Sequence, residues 1–271
     1  MRSSAISAVL SFPQFCVLRS SDNKTTMNLI NFLRKESLNP SSFRKVSCQL
    51  GCIALGCLLG SCASQYSVEG NASLPLLEGR MAYIRHMDGS GAIDSCEVVH
   101  GKFRMAGALD SVVCVDLVVG DDGFIPIVLE QGSIWIDISG SSVLMGGTPL
   151  NDRLYRFLSS RDSLSMLSAE LPKRESEMYL EGYTQDEIID RLAGEQMELA
   201  RAMDKLETRF IEDNYDNVLG VTWFMQLCNH ARNVFGYPTT TPQIDEIYSQ
   251  APESFRQNHE IREYMKLCEG E

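Results

Sequence analysis

At Gly147-Thr148-Pro149 the sequence changes its period. Up to Met145 apolar residues alternate in short runs punctuated by glycine, and beyond Pro149 they recur every three or four positions. The first pattern is that of strands lying on one face of a sheet, and the second is that of a helix stripe. Thr148 suits an N-cap, Pro149 suits the first helical position, and Leu150, Leu154, Phe157 and Leu158 share one stripe. A chain that switches once in this way reads as α+β: an N-terminal antiparallel β sandwich or barrel of about seven strands, followed by an all-helical segment. The expected divisions are residues 1–61, a β domain over 62–147 and a helical segment over 148–271.

Two hairpins are expected within the β domain. In "DSCEVVHGKFRMAG" His100 and Gly101 both tolerate the positive φ of a tight turn. That turn sets Val98 opposite Phe103, Cys96 opposite Met105 and Glu97 opposite Arg104, with Cys96 on the inner face. "FIPIVLEQGSIWIDIS" repeats the pattern about Gln131-Gly132, pairing Leu129 with Ile134, Ile127 with Ile136 and Ile125 with Ile138. Pro126 suggests an edge strand or a bulge, and Trp135 falls on the face expected to be exposed. Between the hairpins, Val113, Val115, Leu117 and Val119 form an apolar face, while the Cys114–Asp116 side is expected to meet solvent. Strands at 80–87 and 141–145 complete the set.

In the helical segment, Thr184 and Glu187 match a capping box. The seam Ile189, Leu192, Gln196, Leu199, Met203, Leu206 and Phe210 follows on one long helix. It is expected to pack on later helices of the same chain rather than on a second copy, because Gln196 interrupts it. An apolar helix near 218–228, a short one from Thr241-Pro242 through Tyr248, and a last one from about His259 to Cys268 complete the reading.

The N-terminal region has a different chemistry. "VSCQLGCIALGCLLGS", residues 46–61, is an apolar run behind the basic "FRK", too short for the roughly 20 residues of a spanning helix and suited to a signal segment. It ends in Leu59-Gly60-Ser61-Cys62, which resembles the lipobox of bacterial lipoproteins; the resemblance implies cleavage before Cys62 and lipid (palmitate among the acyl chains) on its thiol. Spacings of four, five and five between Cys48, Cys52, Cys57 and Cys62, without a histidine nearby, do not fit a zinc site. Met27 is a candidate start codon.

Charge and motif content narrow the function classes. From Cys62 onward 17 Lys and Arg face 34 Asp and Glu, a balance that repels phosphate backbones and excludes nucleic acid as a partner. No nucleophile elbow or phosphate-binding glycine loop is present. His86, His100, His230 and His259 are dispersed, with His230 read as a helix-capping residue beside a packed Cys228. "GDDG" at 120–123 reads as a solvated turn, since a calcium site needs more oxygen ligands. No cofactor, metal or catalytic residue is expected, and Cys96, Cys114, Cys228 and Cys268 are expected to be mostly free thiols.

"YIRHMDGSGAIDSCEVVHGKFRMAG", "IPIVLEQGSIWIDI" and "GGTPLNDRLYRF" together resemble the domain-of-unknown-function 4369 family of envelope lipoproteins in Bacteroides-like bacteria, over about residues 65–170. In many members of that family the domain and a helical segment precede a thioredoxin-like domain. Here no C-x-x-C follows Cys62, so the resemblance carries no oxidoreductase activity over to this chain. The resulting expectation is a non-catalytic lipoprotein, anchored through Cys62 at the periplasmic face of the outer membrane, that binds an envelope partner or ligand. The alternative is an accessory that docks a separate thioredoxin-like enzyme.

Overall fold

The computed structural model describes residues 65–120, 123–140 and 142–270. Cys62 and the other N-terminal cysteines, as well as Asp121 and Asp122 of the "GDDG" turn, lie outside the described residues. The architecture is α+β: eight strands in two sheets that stack without closing into a barrel, then six helices.

One sheet, A, has the strand order β4 (Lys102–Ala108), β1 (Gln65–Ala72), β7 (Gly132–Ser139), β8 (Ser142–Gly146). The other, B, has the order β3 (Ala92–Glu97), β2 (Met81–His86), β5 (Val113–Val119), β6 (Phe124–Leu129). The eighth strand is β1, absent from the sequence reading, and it runs parallel to β7, so sheet A is mixed rather than antiparallel. Its inward residues, Tyr66, Val68, Gly70 and Ala72, include two with almost no side chain. Gly70 is small because the Phe103 ring lies across it; a β-carbon there would sit 1.8 Å from Phe103 Cζ.

Both expected hairpins are corrected in the same way. The turn at His100 (φ 52°) and Gly101 (φ 69°) forms, closed by the Val99–Lys102 bridge and by Glu78, whose carboxylate accepts from both turn amides at 2.8 and 2.9 Å. Beyond that bridge the two arms separate: Cys96 pairs with Ala82 in sheet B and Met105 with Val68 in sheet A. Arg104 accordingly meets Glu69, at 3.3 Å, instead of Glu97. β6 and β7 likewise go to different sheets, so the Ile125–Ile127–Leu129 and Ile134–Ile136–Ile138 faces belong to opposite layers of the sandwich. Two apolar faces can be buried side by side or face to face, and alternation along the strands does not distinguish these packings. Pro126 does lie on an edge strand, and Trp135 is 48% exposed.

The outer face of β5 departs from expectation. Cys114 and Val118 are buried and Asp116 half-buried, because α3 (Val218–Phe235) packs on this strand and Thr222 reaches Cys114. Helix α1 (Pro149–Glu181) starts against β8 and β6 and pairs with α2 (Gln185–Glu212) across a Gly182-Tyr183-Thr184 turn, where the Thr184–Glu187 capping box is present. The α2 seam begins at buried Ile188, whereas Ile189 is 52% exposed. It packs on the earlier α1 as well as on the later α3 and α4 (Pro242–Gln250). A short α5 (Glu253–Arg256), not expected from the sequence, precedes α6 (His259–Glu269).

Candidate binding groove

Two places concentrate polar side chains in ways that could serve a function: a buried cluster where α1 leaves the sandwich, and an open groove on the outer face of sheet A.

The buried cluster is built from Glu130, Thr148 and Asn151. Thr148 occupies the N-cap position, but its side chain bonds no helix amide; Glu130 Oε1 accepts from the amides of Leu150 (2.7 Å) and Asn151 (3.2 Å) instead. A carboxylate at a helix N-terminus is favoured both by the orphan amides and by the helix dipole. Asn151, completely buried, accepts from the Val128 amide at 2.9 Å and donates to the Val128 carbonyl at 2.7 Å and to Thr148 Oγ at 2.8 Å. Its side-chain amide thus takes the place of a neighbouring strand along the edge of β6. These bonds tie β6 to the start of α1, so the cluster holds the fold together.

The groove lies on the open side of sheet A and has a volume of about 610 Å³. Strand register sets its floor: Arg104, Glu69 and Trp135 form one row across β4, β1 and β7, and Lys102, Asn71 and Asp137 form the next. Glu69 Oε1 is 3.3 Å from Arg104 Nε, and Asn71 donates to Asp137 at 3.4 Å while accepting from Ser73 Oγ at 3.0 Å. The groove continues round the β4 edge to Cys96 and Glu97 of β3, where the two arms of the first hairpin separate. Trp135 is held from the other side: a β-carbon at Gly147 (φ 103°) would lie 2.9 Å from Trp135 Cδ1, and one at Gly146 would lie 3.1 Å from Cζ2. The indole edge rests on this glycine pair, and Asp152 fixes the pair by accepting from the Gly147 amide at 2.9 Å.

The quoted segments that carry the family resemblance contain both the cluster and the glycine pair. Residues 66–154 match the family model of DUF4369, a domain of unknown function. Neither the curated proteins nor the solved structures yield a match. The matched DUF4369 region contains both sheets and the first turn of α1, so it includes Glu130, Asn151 and the whole groove.

The remaining candidates from the sequence are dispersed. His100 sits in its turn, while His230 lies within α3 and does not cap it; that helix closes on Gly236, in the left-handed conformation, whose amide donates to Arg232. Among the described residues no group of three or more His, Cys, Asp or Glu is placed to hold a metal ion. Cys96 and Cys114 occupy different faces of sheet B, and Cys228 and Cys268 both lie near Tyr264, whose hydroxyl donates to the Cys228 carbonyl at 2.7 Å. Burial pushes the thiols of all four up, to about 11 for Cys114, which keeps them protonated and weakly nucleophilic at neutral pH. Sheet B carries a second groove, of about 660 Å³, where Arg85 lies 4.6 Å over the Tyr83 ring beside the exposed Phe124. Desolvation pushes up the carboxyl of Asp116 in its floor.

Proposed function

We propose that the protein is a cell-envelope lipoprotein, anchored through a lipid on Cys62, whose folded part works by binding rather than by catalysis. The observation that carries this reading is Trp135: a large apolar ring, half-exposed, seated on a glycine pair and surrounded by paired charges on an uncovered sheet. A lone exposed aromatic needs no explanation, but this one lies against Gly146 and Gly147 and beside the paired charges of the groove, so one ligand would meet both. The lipid reading rests on Leu59-Gly60-Ser61-Cys62, and the absence of acidic residues from Ala63-Ser64-Gln65 favours the periplasmic face of the outer membrane. No helix among the described residues is long and apolar enough to cross a membrane.

The test is capture from native membranes. Cells labelled with an alkyne analogue of palmitate should give a lipid-bearing protein that Cys62→Ala abolishes, and crosslinking should retain a partner or ligand that Trp135→Ala loses. Turnover of a substrate by the purified protein alone would sink the non-catalytic reading.

A second reading is favoured by Cys96, a half-buried thiol at the groove's edge: the groove docks a separate thioredoxin-like enzyme. A mixed disulfide through Cys96 would support it. Cys96 is a free thiol, so it would form that bond as its thiolate, attacking a disulfide of the enzyme and displacing one of the two sulfurs as thiolate, and its raised pKa slows that attack at neutral pH.

A further inference from the structure

We infer that the sheet A groove is a binding site for a neutral polysaccharide or oligosaccharide, with Trp135 as the stacking platform and Glu69, Asn71 and Asp137 as the groups that read sugar hydroxyls. The inference rests on the binding-module reading above and supplies its ligand class.

The chemistry of the floor selects the occupant. A pyranose presents one face of aliphatic C–H groups, weakly positive, and a rim of hydroxyls that each donate and accept. An aromatic ring carries negative charge on its face, so such a C–H face packs on it favourably. Trp135 supplies that surface, half-exposed with its indole edge lying against Gly146 and Gly147. Beside it, adjacent strands place side chains about 4.8 Å apart. Acceptors on Glu69 and Asp137, donors on Arg104 and Lys102 and the amide of Asn71 therefore stand within one sugar ring's reach of one another.

Charge sets the sign of the ligand. Glu69, Glu97 and Asp137 face Lys102 and Arg104 in the lining, so opposite charges are closely matched, and the Glu69–Arg104 and Asn71–Asp137 pairs already bond across the floor. A polyanion would meet three carboxylates, and a polycation two cations. A neutral polyol meets neither penalty and can hydrogen-bond to both members of each pair. Among the sheet A strands that line the groove, strand addition by an extended peptide is open only at the β4 edge, and a peptide there would lie three strands, about 14 Å, from Trp135 on β7, leaving that ring uncovered. The volume, about 610 Å³, is in the range of small-molecule sites and accommodates a short oligosaccharide.

The molecule provides its own optical probe. It has two tryptophans, Trp135 at 48% exposure and Trp223 at 4%, so acrylamide quenching of the emission reports mainly Trp135. The full-length protein in detergent is titrated with cellotetraose, mannotetraose and tetra-N-acetylchitotetraose. The expected result is protection from quenching by at least one of them, with half-saturation at about 1 mM or below. Calorimetry with that sugar should show binding abolished in Trp135→Ala and weakened about tenfold in Glu69→Gln, the loss expected for one charge-assisted hydrogen bond. Unchanged melting temperatures show that both variants fold. No protection by any of the three sugars, or equal binding by wild type and Trp135→Ala, overturns the inference. If the sugars fail while crosslinking still retains a protein that Trp135→Ala loses, the glycan inference falls and the binding-module reading stands.

Discussion

The paired helices α1 and α2 are packed in two different ways along their length. At the base, next to the sandwich, Phe157 and Phe210 stack with centroids 3.9 Å apart and planes within 9°. Trp223 of α3 meets both edge-on, at 5.6 and 5.5 Å. Glu207, buried there, pairs with Arg161 at 3.3 Å. Toward the turn the same helices have only each other: from Asp162 to Arg201 the one fully buried side chain is Ile188, and Met166, Leu180 and Met197 are exposed. The seam there is supplemented by surface ion pairs such as Arg174–Glu195 and Lys173–Glu177, which contribute little each. The base thus belongs to the cooperative core, while the outer part is a marginal two-helix pair, and stability should fall along the helices from one to the other.

The largest effect should come at the base. Phe210→Ala removes a stacked, T-packed ring and is expected to cost about 3–5 kcal/mol, read as a drop in the global denaturation midpoint. Asn151→Ala comes next, at about 2–4 kcal/mol, because the Val128 amide and carbonyl would be left buried without partners. Ile188→Ala should leave the global midpoint almost unchanged while speeding hydrogen exchange across residues 162–202; a global shift as large as that of Phe210→Ala would erase the distinction between base and tip. Leu180→Ser, at 89% exposure, should change nothing beyond about 0.5 kcal/mol.

A pH titration sharpens the contrast further. Desolvation raises the carboxyl of Glu207 against the pull of Arg161, so the folded state favours its protonated form. Its contribution to stability is complete below its unfolded value near 4.5 and declines as pH rises through the higher folded value. Glu207→Gln, which mimics the protonated form, should therefore match wild type at low pH and gain on it as pH approaches neutrality. A variant that instead loses ground with rising pH would show that the Arg161 pair outweighs burial.

How legible this was in the sequence depended on the range of the interaction. Local signals held: the His100-Gly101 turn, the Thr184 capping box, the Thr241 cap and the helix beginning at Pro149 are all decided within a few residues. The α2 seam was displaced by one residue at its start, because Ile188 and Ile189 are both apolar and only the partner helix chooses between them. Sheet membership was not legible, since the alternating faces of β6 and β7 fit a hairpin as well as a sandwich. β1 was missed because Gly70 and Ala72 fill inward positions that a propensity reading assigns to larger residues. Trp135 was legible as exposed, but its glycine seat comes from β8 and the α1 approach, and the groove joins residues more than 60 positions apart. The true cap of α1, Glu130, is 18 residues before the N-cap, beyond the reach of any local motif.

Helix α1 is shared by both regions. Its 33 residues amount to a rod of about 50 Å at 1.5 Å per residue. One end is anchored to β6 through Asn151, and the other carries the turn into α2. A sideways load on that turn would act on the sandwich as torque about the buried base of α1, and Pro172, which cannot donate a helix hydrogen bond, leaves one rung missing in the shaft between them. Mechanically, α1 is a lever whose fulcrum is its buried base, where Asn151, Leu154 and Phe157 are held by the sandwich and by the neighbouring helices.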